Sequence, residues 1–207
     1  MKKNPKEPNF ALKCVAAACL ATLSHMPLLV HAALDVTDSN VSGNLSVSGN
    51  MTVSGNAIVN GTLSVTGNTS LGNLSASGNV SLDNNINVGG DAGVGGSVDV
   101  GGSVAVGGNI AANGTITGTS IVSNGSISAA NISANGSISG GNISANGTIS
   151  GATISSNGTI RGATLVSNGS ISSGANISAN GTITGAGIVS NGSISSGANI
   201  SANGTIT

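Results

Sequence analysis

Aromatic side chains are almost missing from this chain: Phe10 is the only one, and neither Trp nor Tyr occurs. Rings dominate the cores of ordinary globules and form the platforms on which single-stranded nucleic acid stacks, so both readings lose their usual material. Charge is equally scarce. Lys2, Lys3, Lys6 and Lys13 crowd the N-terminus, and Arg161 is the only base after them. Cys14 and Cys19, His25 and His31, Pro5, Pro8 and Pro27, and the single Glu7 also lie before position 33. Beyond it, Asp35, Asp38, Asp83, Asp91 and Asp99 stand against Arg161, so five acids and one base leave a net charge of −4. That remainder has no basic patch for phosphates, which excludes nucleic acid as a partner. It has no cysteine for a disulfide or thiolate metal site, and no histidine for general-base chemistry.

The N-terminal segment has an order of its own. Four lysines are followed by an apolar stretch from Cys14 to Val30, broken by Ser24, His25 and Pro27, and then by Val30-His31-Ala32. Basic region, apolar region and cut-site pattern in that order predict a secretory signal peptide over 1–32, cleaved after Ala32. A transmembrane anchor fits less well, because His25 and Pro27 leave too short an apolar run. Ala16-Ala17-Ala18-Cys19 offers a lipoprotein signal as a third option, although Lys13 interrupts the apolar run before it. Cleavage implies a chain secreted or displayed at a cell surface, of bacterial type, with no membrane span left.

What remains is Gly, Ser, Asn, Thr and aliphatics. Disordered low-complexity segments pair low hydrophobicity with high charge. This chain pairs minimal charge with aliphatic residues recurring every five or six positions. After a lead-in at 33–44, a first zone at 45–115 runs in sixes: Leu45-Ser-Val47-Ser-Gly-Asn, Met51-Thr-Val53-Ser-Gly-Asn, Leu63-Ser-Val65-Thr-Gly-Asn. The alternation predicts a three-residue strand with one buried face, and Gly or Asn is expected to supply a left-handed or turning backbone between strands. A glycine-rich part, 88–108, buries less side chain and is expected to be the softest. A second zone at 116–207 alternates fives and sixes, marked by Ile116, Ile121, Ile127, Ile132 and Ile138. Residues 154–176 and 177–199 are near copies of 23 residues each, a duplication that needs no functional explanation.

The fold class expected is all-β: a parallel β-helix, or β-solenoid, of short strands. Three strands per coil of roughly 17–18 residues give about ten coils, a rod on the order of 50 Å long. Hydrogen-bonded ladders of Ser, Thr and Asn are expected between coils. A trimeric β-helix, each chain supplying one face per layer, satisfies the same hexads. The repeat stops at Ile206-Thr207 without a cap, which reads as part of a longer fibre whose head or folding domain lies elsewhere.

The run G-N-L-S-V-S-G-N-M-T-V-S-G-N from Gly43 to Asn56, and G-T-L-S-V-T-G-N from Gly61 to Asn68, resemble the stalk repeats of bacteriophage tail-fibre proteins and related bacterial surface fibres or adhesins. That resemblance implies a trimeric stalk carrying a binding domain at its tip. Hexapeptide-repeat acyltransferases share the six-residue aliphatic period, but they prefer a small side chain where this chain often has Gly, and they rely on a catalytic His. Calcium-binding nonapeptide repeats read G-G-x-G-x-D, and Gly89-Gly90-Asp91-Ala92-Gly93 misses that spacing.

No catalytic, cofactor-binding or metal-ligating residue is therefore expected, and no cofactor. Asp91 and Asp99 read as solvated residues, because calcium needs several converging oxygens. Arg161 reads as a lone outer-face cation. Twenty N-x-S/T triplets, among them those at Asn60 and Asn131, follow from a repeat built of Asn, Gly, Ser and Thr, although each matches a glycosylation acceptor. The serines lack a base to activate them, and no phosphate-cradling G-x-x-x-x-G-K-S/T occurs. The reading is a non-enzymatic secreted or cell-surface rod, a stalk or fibre that self-associates as trimers or end to end. The alternative is a binding solenoid whose Ser/Thr/Asn face meets ice or a carbohydrate, motivated by Thr115-Ile-Thr117 and Thr182-Ile-Thr184.

Overall fold

A computed structural model describes residues 28–30 and 34–207. Among the described residues every regular element is a β-strand and none is a helix. Each strand pairs in parallel with its counterpart one coil away. Leu45 lies beside Leu63, Leu63 beside Val80 and Ile116 beside Ile132, so a coil consumes 18, 17 or 16 residues. The chain is a parallel β-solenoid of about ten turns, with all three faces of each turn supplied by the same chain.

The first face stacks eleven strands from Leu28–Val30 and Leu45–Val47 to Ile200–Ala202. The second begins at Leu34–Val36 and the third at Ser39–Val41. These two run together wherever one strand bends round the corner between them, as Met51–Val59 and Thr69–Ala76 do, with a register slip between Val53 and Asn56. The expected cut after Ala32 lies outside the described residues. Cleavage there would also remove Leu28–Val30, which pairs with Leu45–Val47.

Strand periodicity explains the core. Successive side chains alternate between faces, so the first and third residues of each triplet point inward and the second outward. Leu45, Val47, Met51, Val53, Leu63 and Val65 are all buried, forming one continuous file with Ile116, Ile132 and Ile149 further along. Each such Ile or Val contributes about 1.5–3 kcal/mol through burial, partly offset by the entropy of ordering a glycine-rich chain.

The change of rhythm at Ile116 has a packing cause. Before it, inward positions are filled by pairs such as Val98 with Val100 and Val104 with Val106; after it, by one Ile and one small residue, as in Ile132 with Ala134 and Ile154 with Ser156. One large and one small inward residue thus replace two of middle size, and each coil of the second zone carries less side chain at its third position. Five-residue steps follow an inward glycine at Gly118, Gly140, Gly151, Gly162 and Gly185, with Ala129 the exception. A Cβ on Gly140 would sit 3.1 Å from Ile127 Cδ1, and one on Gly151 3.1 Å from Ile138 Cδ1. At these short corners the Ile of the coil before, Ile127 beneath Ile143 and Ile138 beneath Ile154, lies too close for a larger neighbour.

The corner glycines narrow one expectation: the chain does bend at them, but not through left-handed backbone. No glycine from Gly55 to Gly204 adopts left-handed φ. Glycine is required because coils stack at backbone distance: a Cβ on Gly67 would lie 2.5 Å from the carbonyl carbon and oxygen of Gly49 in the coil before.

Candidate functional site

Corner chemistry is the most repeated polar feature. The residue just before each triplet is usually Asn, Asp, Ser or Thr, and an Asn or Asp there, or Ser97, reaches the next coil with its side-chain oxygen. Asn44 Oδ1 accepts the Thr62 N–H at 2.8 Å, Asn131 the Thr148 N–H at 2.8 Å, and Asn142 the Thr159 N–H at 2.9 Å. Asp38 and Asp91 occupy equivalent corners and accept the N–H groups of Asn56 and Asn109, each at 2.7 Å. The expected ladder is present, and Asp91 belongs to it. Asp99, by contrast, projects outward from the first face and is exposed.

A second ladder runs inside and escaped the sequence reading. Ser123, Ser156 and Ser173 are buried, and each donates its hydroxyl to a carbonyl 15 residues earlier, in Gly108, Gly141 and Gly158, at 2.6–2.7 Å. The same oxygens accept the N–H of the residue two further on, at Gly125, Gly158 and Ala175. Both functions of the hydroxyl are thus spent on backbone, leaving these serines as struts. Their signal was available: serine occupies the inward third position only before a six-residue step, where the longer corner leaves backbone groups to satisfy.

The outer surfaces are the remaining candidates. On the first face, Ser46, Ser64 and Ser81 stand side by side in adjacent coils, followed by Asp99, Thr117, Ser133 and Ser150. This is a file of small oxygen donors and acceptors at the strand spacing of ~4.8 Å. Thr117 belongs to it, as does Thr184, whereas Thr115 stands in a separate column beside Asn131, and Val166 adjoins Thr184 and interrupts the file before it.

On the third face the outward residues Gly93 and Ala111 are too small to fill their share of surface. They floor a shallow trough of about 520 Å³, rimmed by Asn60, Ser77, Asn113 and Ser128. A smaller polar hollow of about 290 Å³ lies further along, between Ser144, Asn146, Asn180 and Arg161. Arg161 is exposed and flanked in its sheet by Ser144 and Ser178, on the outer face as expected. Asn60 lines the trough, whereas the Asn131 side chain is engaged in the corner ladder.

Among the described residues no three His, Cys, Asp or Glu side chains converge on a point that could hold a metal ion. No helix among them is long and apolar enough to cross a membrane. Compared with family models, with curated proteins and with solved structures, the chain gives no match.

Proposed function

We propose that this chain is a non-enzymatic structural rod, exported and held at a cell surface or released from it, serving as the stalk of a fibre of adhesin or tail-fibre type. The observation that carries this reading is the unbroken stacking: one hydrophobic file and the corner ladder hold consecutive coils together along the solenoid. In such an array each repeat contacts only its neighbours, and stability accumulates along one dimension. A rod of this kind transmits position rather than chemistry. Its exposed positions carry mostly Ser, Thr, Asn, Gly and Ala, residue types with little nucleophilic or acid–base capacity without a partner base. Self-association, as a trimer or end to end, would extend the rod, because solenoid ends present open strand edges.

Electron microscopy of the chain from Ala33 onward should show unbranched rods, on the order of 50 Å per chain. A random-coil circular dichroism spectrum in dilute buffer would overturn the reading. N-terminal sequencing of exported material tests the secretion step: it should begin at Ala33.

The hydroxyl file of the first face supports a second reading, a surface that meets ice or a carbohydrate through regularly spaced oxygens. Thermal hysteresis, or retention on a polysaccharide column, should then be lost when Ser64, Ser81 and Thr117 are replaced by Lys. Absence of both activities in the unmodified rod would remove this reading.

A further inference from the structure

Ten Asn-Gly pairs occur in this chain, at Asn60, Asn113, Asn124, Asn135, Asn146, Asn157, Asn168, Asn180, Asn191 and Asn203. Such a pair is chemically labile, because a glycine nitrogen unencumbered by a side chain can attack the preceding side-chain amide. All ten asparagines are exposed, so exposure does not separate them. The glycine N–H does. In nine pairs it donates to a carbonyl of the preceding coil: Gly114 to Gly96 at 2.9 Å, Gly136 to Thr119 at 2.6 Å, Gly158 to Gly141 at 2.6 Å, and the other six likewise at 2.7–3.2 Å. Gly61 is the exception. Among the described residues its N–H donates to none, while its neighbours on either side are held, Asn60 N–H by the Val41 carbonyl at 2.9 Å and Thr62 N–H by Asn44 Oδ1 at 2.8 Å.

We propose that Asn60-Gly61 is a site of spontaneous deamidation and isoaspartate formation, and that the fold protects the other nine pairs. Attack requires the glycine nitrogen to lose its proton and turn towards Asn Cγ. Where the N–H is bonded to the coil below, that bond must break and the corner must open first. At Gly61 no such bond stands in the way. The Gly61 nitrogen forms a bond to Asn60 Cγ, and the amide nitrogen leaves as ammonia, carrying away the proton lost by Gly61. Water then opens the cyclic imide at either carbonyl. One opening yields aspartate; the other routes the main chain through the former side chain and yields isoaspartate. Ammonia is lost, water is gained, and nothing is oxidised or reduced.

The consequence is local. Isoaspartate adds a methylene to the main chain at the corner between Met51–Val59 and Leu63–Val65. The Asn60 carbonyl at that corner accepts the Ser77 hydroxyl of the next coil. Either product also places a carboxylate on the rim of the third-face trough. Asn113 provides an internal control, because it lies on the same rim with its glycine amide bonded.

The test is ageing of the full chain in mildly alkaline buffer at physiological temperature, followed by elastase peptide mapping with isoaspartate read at each pair by mass spectrometry. Native chain should convert at Asn60 at least about tenfold faster than at Asn113, the ratio set by the opening step that Asn113 needs. In urea the ten sites should converge to within about threefold, because the difference lies in the fold. Asn60→Ser should abolish the early acidic species and leave the other nine rates unchanged. Equal native rates at Asn60 and Asn113, faster conversion at any of the nine, or a ratio that persists in urea would each overturn the proposal.

Discussion

The side-chain oxygen of Asn142 accepts the backbone N–H of Thr159 at 2.9 Å, one coil further along the third face. The bond is made by the asparagine oxygen alone, and Asp91 shows that a carboxylate serves equally at such a corner, accepting the Asn109 N–H at 2.7 Å. Asn142→Ala should therefore destabilise the chain by about 0.5–1.5 kcal/mol, whereas Asn142→Asp should be close to neutral. Urea unfolding with hydrogen exchange at Thr159 distinguishes the two. Equal losses for both variants would mean that the ladder bond contributes nothing.

Thr69 holds a core position between Met51 and Ile86 on the second face. It is 2% exposed, and its hydroxyl has no hydrogen-bond partner. An unpaired buried hydroxyl costs more than the methyl that would replace it. Thr69→Val should stabilise the fold by about 1–2 kcal/mol. A lower midpoint in thermal or urea unfolding would show that the hydroxyl is satisfied in solution.

Two glycines separate conformational cost from stacking cost. Gly93 projects outward from the third face with nothing within 4 Å of an added Cβ, whereas a Cβ on Gly67 would meet the Gly49 backbone at 2.5 Å. Gly93→Ala should be neutral or stabilising by about 0.5–1 kcal/mol, since a strand glycine is entropically costly. Gly67→Ala should cost upwards of about 2 kcal/mol, because the coils cannot keep their spacing around the added carbon. If the two variants unfold alike, contact between stacked corners is not what selects glycine.

How much of this was legible in the chain varies with the kind of interaction. The strands at Leu45, Met51 and Leu63, the three-sided coil and the shift at Ile116 follow from aliphatic spacing, because burial has a period and the period is written in residue types. The outward placement of Asp99 and Arg161 follows from the same alternation. The corner glycines were legible as turning residues but not as stacking ones: a local sequence displays backbone freedom, but a collision between Gly67 and Gly49 depends on a neighbour 18 residues away. The inward serines were missed because Ser123 and Ser156 look like the polar serines of any turn. Only the coil below, where Gly108 and Gly141 offer carbonyls, reveals their task. The trough at Gly93 is likewise a property of adjacent coils rather than of any one of them.

Arg161 allows the integrity of the stack to be read directly. It is the sole Lys or Arg after Lys13, so trypsin has one place to cut in the solenoid. The side chain is exposed, yet its residue is the centre of the strand Ile160–Gly162, paired to Ser144 on one side and Ser178 on the other. A protease must hold several residues in extended form, which requires both ladders to separate. Cleavage should therefore track the population of opened coils and not the exposure of the side chain. Native chain should resist trypsin for hours at concentrations that cut the urea-unfolded chain at once. The Gly67→Ala variant, whose lesion lies several coils away, should stay resistant at Arg161 even as its own region loosens, because solenoid coils couple chiefly to their nearest neighbours. Prompt cleavage of the native chain after Arg161 would mean that the second zone is not closed as a stack. Cleavage accelerated equally by the distant lesion would mean that the rod opens as a single unit.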